Sequence, residues 1–421
     1  MILMKKNKYN FELLLGVLSV FLIPLNKHFV TIALCLWFLV SLYKMFSHND
    51  KIKFISIFNR NKLPILLFPI FYIIHLFGLL YTENYNYAFF DLEIKLSMFV
   101  IPLIILMRYD FYTNKQNYFL KALIFGCLVS FLINIIIAFI NYYKQPLIAH
   151  FFYTNLSAIH PSYMALYVST SLIIVLFLGY NKIIFSNKIA KVFGIIIFII
   201  LFIYLLLLSS KAGIIAFTIA VTVYFVNLLA RKIKAKYIIL IALLSIISPF
   251  LLLNFIPSVK DRFQAMNNAI INSSEASIDS EESSMERVAI FVTSSKFAYN
   301  CLPWGVGTGD TKDKIIENYK KMGSQTVNER YLNPHNQYLH STITLGVFGL
   351  FVLLLIVIVG FRIAIKNKSV LFLSFIILIS LNMLFESMLE QQAGVIFIAL
   401  FYSLFIVWSN DKSFSNNKIS D

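Results

Sequence analysis

The sequence predicts an all-α polytopic membrane protein with about twelve transmembrane helices and one large loop subdomain outside the membrane. Of its 421 residues, 59% are hydrophobic and only 13% are charged, and the mean hydropathy is +0.79. Soluble domains contain about 45–50% apolar and about 25% charged residues. Apolar stretches close to the ~20 residues that cross a bilayer recur along the whole chain. These observations exclude a water-soluble enzyme, a disulfide-rich secreted domain and a disordered chain.

Twelve apolar stretches predict the transmembrane helices. In chain order they lie at 12–26, 28–46, 61–82, 94–107, 116–141, 162–181, 189–209, 211–230, 237–256, 337–361, 368–385 and 393–409. The first and the fourth are short for a bilayer crossing, so they could be tilted or re-entrant.

The placement of the basic residues predicts the orientation in the membrane. The net charge is +16, but Lys and Arg occur in short blocks between the apolar stretches. Such blocks orient membrane proteins, so we expect no nucleic-acid partner. With a cytoplasmic N-terminus, 23 of the 36 Lys and Arg residues fall in cytoplasmic segments and only four in the short outer segments. This alternation predicts an even number of spans, with both termini cytoplasmic.

The segment 257–334 is the only extended polar stretch, and the same count places it outside. It holds ten acidic and nine basic residues, and its part 285–300 has apolar residues at helical spacing. We therefore predict a small folded subdomain. The predicted domains are 1–256 with spans one to nine, 257–334 as the loop subdomain, 335–409 with spans ten to twelve, and 410–421 as a cytoplasmic tail.

Two cations of the outer face are candidate anion-binding groups. Lys211 stands in a short break between two apolar stretches, where it could snorkel to lipid phosphates or bind an anionic head group. Arg287 opens the helical part of the large loop beside Glu286. It could form a solvated pair with that acid or grip a phosphate through bidentate hydrogen bonds.

His335 is the candidate general base. Asn333 suits a helix N-cap and Pro334 the first helical position, which would put His335 in the first turn. The helix dipole disfavours a charged imidazole there, and a general base must be neutral. The alternative is an interfacial histidine that only caps the helix. His340 should face elsewhere, and the small residues of 346–349 should let a neighbouring helix approach closely.

Further polar residues mark the outer ends of two other spans. His160 and Tyr163 open the sixth span, where His160 could orient a sugar or phosphate, although a packing role is equally compatible. Glu386 and Glu390, at the end of the eleventh span, are one helical turn apart and could share a face. No phosphate loop, dinucleotide motif or zinc spacing occurs. Cations with one base suit a diphosphate, so we expect no metal and no cofactor.

These residues resemble a known signature. His335-Asn336, followed after nine residues by Gly346-x-x-Gly349, resembles the motif of the O-antigen ligase and O-antigen polymerase (Wzy-type) superfamily. The order of a cation, Arg287 in a large loop and then the histidine is also similar, and 304–309 resembles the family's glycine-rich turn. These motifs lie within about 205–350.

The resemblance implies a GT-C-like glycosyltransferase, metal-independent and inverting, in the bacterial inner membrane with its active site on the periplasmic face. It would move a glycan from undecaprenyl diphosphate to the lipid A–core of lipopolysaccharide or to another lipid or protein acceptor. The implied roles are a base for His335 and diphosphate binding for Arg287 and for Lys211, where the family commonly has arginine. Residues implied to shape the site are His160, Tyr163, Trp304, Asn336 and Glu386.

Other functions remain open at this point. An O-antigen polymerase or a protein O-oligosaccharyltransferase of the same superfamily would differ in its acceptor. A transporter of lipid-linked glycans is the alternative outside enzymes. It should show paired discontinuous helices or internal symmetry, and the sequence shows no internal repeat.

Overall fold

The computed structural model describes residues 2–47, 62–180, 188–229, 283–321 and 333–410, with side chains omitted for 2–10, 180, 229 and 283–286. Within these ranges the chain forms α-helices and short 3-10 turns and no strand. The predicted ninth span (237–256) lies outside the described residues. So does the proposed domain boundary at 256–257.

Fifteen α-helices make up the described part. They are α1 (Ile2–Leu22), α2 (Lys27–Ser47), α3 (Leu67–Phe77), α4 (Tyr85–Lys95), α5 (Ser97–Met107), α6 (Tyr109–Tyr112), α7 (Gln116–Lys144), α8 (Pro161–Tyr180), α9 (Lys188–Leu207), α10 (Lys211–Leu229), α11 (Ser283–Asn300), α12 (Thr311–Lys321), α13 (Gln337–Lys366), α14 (Val370–Phe385) and α15 (Gln392–Ser409). Short 3-10 turns extend α3 at both ends to Leu63–Tyr81.

The chain is an all-helical polytopic membrane protein. Eight described helices or helix runs are long and apolar enough to cross a bilayer, and two shorter apolar helices, Phe11–Leu22 and Val370–Phe385, accompany them. The helix predicted at 285–300 is confirmed as α11. The prediction of the fourth span, 94–107, is partly wrong. Its polar start belongs to α4, and α5 has only 11 residues, with Pro102 inside it.

Helix α15 lies at the centre of the bundle. Every residue from Gly394 to Ser409 is buried. Aromatic rings fill the contact with α14: the Phe375 and Phe405 centroids are 5.0 Å apart, and those of Phe372 and Phe405 are 5.7 Å apart. Helices in lipid associate through such close packing, because burial from lipid supplies no hydrophobic driving force. The core is therefore a rigid frame for the loops at its ends.

Peripheral helices expose large apolar side chains. In α7 these include Phe125, Ile136 and Phe139, each more than half exposed, and α9 exposes Val192 and Phe193. A soluble monomer rarely shows contiguous apolar patches of this kind. Lipid chains would cover these faces.

A buried ion network ties three helices at one end of the bundle. Glu12 of α1 is inaccessible to solvent. Its carboxylate lies 3.5 Å from Lys44 Nζ and 3.3 Å from Arg108 Nε, and it accepts a hydrogen bond of 2.9 Å from the Tyr112 hydroxyl. Arg108 directly follows α5, so the length of α5 separates this network from Lys95 at the other end.

Candidate functional site

Polar residues converge where α8 and α10 begin and α14 ends. Tyr163, in the first turn of α8, donates a hydrogen bond of 3.2 Å from its hydroxyl to the Ser387 carbonyl, just past α14. The start of α10 lies beside α8, because a Cβ added to Gly213 would come 2.6 Å from the Ala165 Cβ. The loop before α13 reaches the same place through His335.

His335 and Glu386 form the central contact of this site. The His335 Nδ1 atom is 2.9 Å from Glu386 Oε1. A carboxylate can only accept, so Nδ1 donates this hydrogen bond; in the neutral imidazole, the lone pair is then on Nε2. The His335 side chain is 26% exposed, whereas that of Glu386 is 6% exposed. The acid is thus held inside and the imidazole remains open to a ligand.

The backbone around His335 differs from the sequence prediction. Helix α13 begins at Gln337, and Asn336 is its N-cap, with its side chain accepting from the Leu339 amide at 3.0 Å. The predicted cap at Asn333 is wrong, because the Asn333 side chain accepts from the His335 amide at 2.8 Å and stabilises a local turn instead. His335 consequently lies before the helix with a φ of 46°.

This backbone conformation is itself informative. A non-glycine residue with positive φ is uncommon and stores strain, and such residues cluster at functional sites. Asn336 contributes a second restraint, since its side-chain amide donates to the Leu384 carbonyl at 3.1 Å. The end of α14 is therefore fixed against the start of α13.

Electrostatic effects join Arg287 and His160 to the pair. Burial raises the pKa of Glu386, but the hydrogen bond and charge of His335, then Arg287 and His160, outweigh it and hold that pKa below its usual range. Burial lowers the pKa of His160; Glu386 opposes this and Arg287 reinforces it. Ser162 adds a hydroxyl 3.5 Å from the second Glu386 oxygen. Arg287 lies exposed on α11, so its guanidinium can reach a ligand at this end.

Lys211 lies at the same end of the bundle. It begins α10 and is half-buried. Helix α10 packs on α14, where Ser374 donates to the Ala220 carbonyl at 3.5 Å. The start of α10 lies beside the start of α8, which contacts Ser387 next to Glu386. The preceding Ser209 has a φ of 50°, which turns the chain sharply into α10.

Trp304 takes part in a different set of contacts. Its ring stacks on Phe348 at 5.5 Å and its carbonyl accepts from the Tyr81 hydroxyl at 2.8 Å. The turn that follows it packs on α13, where the Gly307 amide donates to the Thr344 carbonyl at 3.0 Å. Its observed contacts are thus with α13 and with Tyr81 after α3.

Gly346 allows the loop that carries Trp304 to approach α13 closely. It interrupts α13 with φ 60° and ψ −143°, and a Cβ there would lie 1.9 Å from the Pro303 carbonyl oxygen. The prediction that the small residues 346–349 admit a neighbouring helix is wrong at Gly346. A loop occupies that space, because the helix break turns the Val347 amide to donate to Pro303 at 2.9 Å.

The sequence indicated that Glu386 and Glu390 could share a helix face, but the structure shows that they do not. Helix α14 ends at Phe385, and both acids lie in the connection to α15. Each contacts its own histidine: Glu390 Oε1 is 2.9 Å from His340 Nδ1. The sequence placed Glu386 only among residues shaping the site, so its pairing with His335 was missed. The available signal was the cost of an acid at the end of an apolar span.

A comparison with known protein families gives one match within this chain. Residues 196–354 match the family model Wzy_C, described as O-antigen ligase. This stretch is similar to the O-antigen ligase family. The O-antigen ligase region contains Lys211, Arg287 and His335, whereas Glu386 and His160 come from outside it and complete the site through the fold.

The resemblance stated from the sequence is thereby confirmed for the O-antigen ligase region. No curated protein matches the chain. Among the described residues, no group of three or more His, Cys, Asp or Glu side chains is placed to hold a metal ion.

Proposed function

We propose that this protein is an O-antigen ligase that transfers a glycan from undecaprenyl diphosphate to the lipid A–core of lipopolysaccharide. The observation that carries the proposal is the His335–Glu386 pair, with Arg287 acting on the same carboxylate. These groups lie at one end of a membrane bundle whose residues 196–354 match the O-antigen ligase model.

His335 acts as the general base in this proposal. Glu386 accepts a hydrogen bond of 2.9 Å from Nδ1 and so directs the Nε2 lone pair to the acceptor hydroxyl. The buried carboxylate also stabilises the imidazolium that forms when His335 takes the proton. A positioned base contributes about 10²–10⁴-fold in rate.

Arg287 and Lys211 act on the leaving group. The Arg287 guanidinium is exposed and can bind one phosphate through two parallel hydrogen bonds. Lys211 provides a compact positive charge without that planar fork. Together they neutralise the diphosphate as negative charge develops on it, which is where electrostatic stabilisation is most effective.

The reaction breaks one bond and forms another at the anomeric carbon. The acceptor oxygen attacks that carbon, and the bond from the carbon to the diphosphate oxygen breaks with its electron pair leaving on undecaprenyl diphosphate. The hydroxyl proton passes to His335, and the configuration inverts. Because both substrates are anchored in lipid, alignment at the bilayer surface contributes much of the rate.

The proposed topology follows from the distribution of basic residues. The protein would span the bacterial inner membrane several times with both termini cytoplasmic, and the site would open on the periplasmic face. Lys44 and Arg108 lie at the Glu12 end, opposite to His335. In this proposal Lys44 and Arg108 lie on the cytoplasmic side.

Reconstituted transfer tests the proposal directly. Purified protein in lipid nanodiscs would receive an undecaprenyl-diphosphate glycan and lipid A–core. We expect His335→Ala and Arg287→Ala each to lower transfer by about 10²-fold or more, while His28→Ala, at an exposed histidine of α2, keeps the wild-type rate. Wild-type transfer by the His335 variant would remove this residue from the mechanism.

The acceptor is tested in cells. Mass spectrometry of lipopolysaccharide from a deletion strain should show core that lacks any polymer. Core bearing a single repeat would identify a polymerase instead, and unchanged lipopolysaccharide would indicate a different acceptor.

A further inference from the structure

We propose that Glu390 is a positioning residue for the reaction. In this inference a buried ion network (Asp91, Lys95, His340 and Glu390) fixes the loop that carries Glu386 and so holds Glu386 against His335. The inference rests on the proposed function, and it assigns a role to buried charges that do not touch the substrate.

The network is built around Lys95 at the end of α4. The Lys95 side chain is 1% exposed, and its ammonium group donates to Asp91 and, at 2.6 Å, to Glu390 Oε2. The other Glu390 oxygen is 2.9 Å from His340 Nδ1 and accepts from Gln337 Nε2 at 3.0 Å. Three elements therefore meet at one carboxylate: α4, α13 and the loop before α15.

The loop between α14 and α15 is short and internally bonded. It runs from Glu386 to Gln391, so the two acids stand near its opposite ends. The Glu390 amide donates to the Ser387 carbonyl at 3.2 Å, and the Leu389 amide donates to Gln337 Oε1 at 2.6 Å. A displacement of Glu390 must therefore pass to Ser387 and to Glu386 beside it.

The two Glu–His pairs share the same two chain segments but differ in surroundings. His335 and His340 flank the first turn of α13, and their partners Glu386 and Glu390 flank one loop. The His335 side chain is open at its outer edge, whereas His340 is largely enclosed and its partner is also bound by Lys95. The first pair is thus suited to chemistry and the second to holding the loop.

Burying the charged groups of this second pair costs free energy, because they lose their contact with water. Removing one partner from a buried ion pair leaves an uncompensated charge, and apolar residues of similar volume often stabilise a fold at least as well. Misplacing a catalytic group by about 1 Å can cost about 10²-fold in rate. The buried ion network fixes the position of Glu386 more specifically than apolar packing would.

The test compares two identical substitutions in the same fold. Glu390→Gln keeps the side-chain volume and removes the charge at the end of the bundle that carries His335. Glu12→Gln makes the same change in the buried network with Lys44 and Arg108 at the opposite end. In the nanodisc transfer assay, we expect Glu390→Gln to lower kcat by about 10- to 100-fold with little change in the donor KM. Glu12→Gln should leave both constants unchanged per folded molecule, with any loss appearing only in Tm.

A double-mutant cycle separates positioning from general destabilisation. If Glu390 acts through Glu386, then Glu390→Gln will have no further effect on kcat in a Glu386→Gln background. An equal fold-loss in both backgrounds would overturn the inference, as would a wild-type kcat for Glu390→Gln. Should Glu390→Gln fail to insert, the double variant Asp91→Asn, Lys95→Gln removes one acid and one base together and has the same expected outcomes. Absence of transfer by the wild-type protein would instead overturn the proposed function, and this inference with it.

Discussion

Glu386 Oε1 accepts a hydrogen bond of 2.9 Å from His335 Nδ1, and the two residues approach from separate loops. Glu386 follows the last turn of α14, whereas His335 precedes the N-cap of α13. Their contact depends on the packing of these helices and on the hydrogen bond from Asn336 to Leu384. The base is therefore oriented by the tertiary fold.

The first prediction concerns the catalytic effect of this contact. Replacing Glu386 with Gln removes the charge that stabilises the imidazolium and leaves a side chain that can also present its amide to Nδ1. We expect kcat to fall by about 10²-fold, with the donor KM little changed, because the loss appears in the transition state. Glu317→Gln, at an exposed acid of α12, is the control, and initial rates of transfer provide the measurement. An unchanged kcat for the Glu386 variant would contradict the dyad.

The second prediction concerns the pH dependence of stability. The pKa of Glu386 lies below its ordinary value of 4.5, so the unfolded chain binds the proton more tightly than the folded protein. The stabilisation by ionised Glu386 is thus fully present above about pH 4.5 and is lost as the pH falls through the lower folded pKa. The Tm difference between the wild-type protein and Glu386→Gln should shrink as the pH falls below about 4.5.

Thermal scans in detergent at a series of pH values measure this difference. Glu317→Gln is again informative, because Glu317 is fully exposed and its surface ion pair contributes little to stability. A Tm difference for Glu386→Gln that widens below about pH 4.5 would show that the ionised carboxylate is not stabilising.

The sequence predicted the apolar frame and the candidate cations and base, but not how the site is assembled. Long hydrophobic runs and blocks of Lys and Arg are local signals, so they indicate spans well. The cap of α13 was misplaced by three residues because Asn333 and Asn336 carry the same capping side chain, and only the tertiary contact of Asn336 with Leu384 distinguishes them.

The pairs His335–Glu386 and His340–Glu390 have no sequence signature either. Each joins residues about fifty positions apart, and helical spacing instead suggested that the two acids share a face. The end of α14 at Phe385 changed that relation. Likewise, the sequence suggested that Gly346 allows close helix packing. The break in α13 at this residue is evident only from the structure, where a loop fills the space beside it.

The third prediction concerns the charge at Lys211. We expect Lys211→Gln to raise the donor KM by roughly tenfold, since a nearby positive charge favours diphosphate binding before and during reaction. Lys211→Arg should retain wild-type KM or lower it, because guanidinium adds bidentate hydrogen bonds to phosphate. Steady-state kinetics with the lipid-diphosphate donor give both values. Equal KM values for the Gln variant and the wild-type protein would place Lys211 outside the donor site.

The last prediction concerns the helix break in α13. Gly346→Ala would put a Cβ 1.9 Å from the Pro303 carbonyl oxygen in a residue with a φ of 60°. Strained backbone of this kind costs about 1–3 kcal/mol before the clash is counted, so we expect a lower Tm and reduced transfer per inserted molecule. Gly194→Ala makes the same change within α9, where the backbone has no positive φ. It should be neutral or slightly stabilising, because Ala favours helix over Gly. If both alanine variants keep the wild-type Tm and rate, the contact of Pro303 with the break does not brace the helix that follows His335.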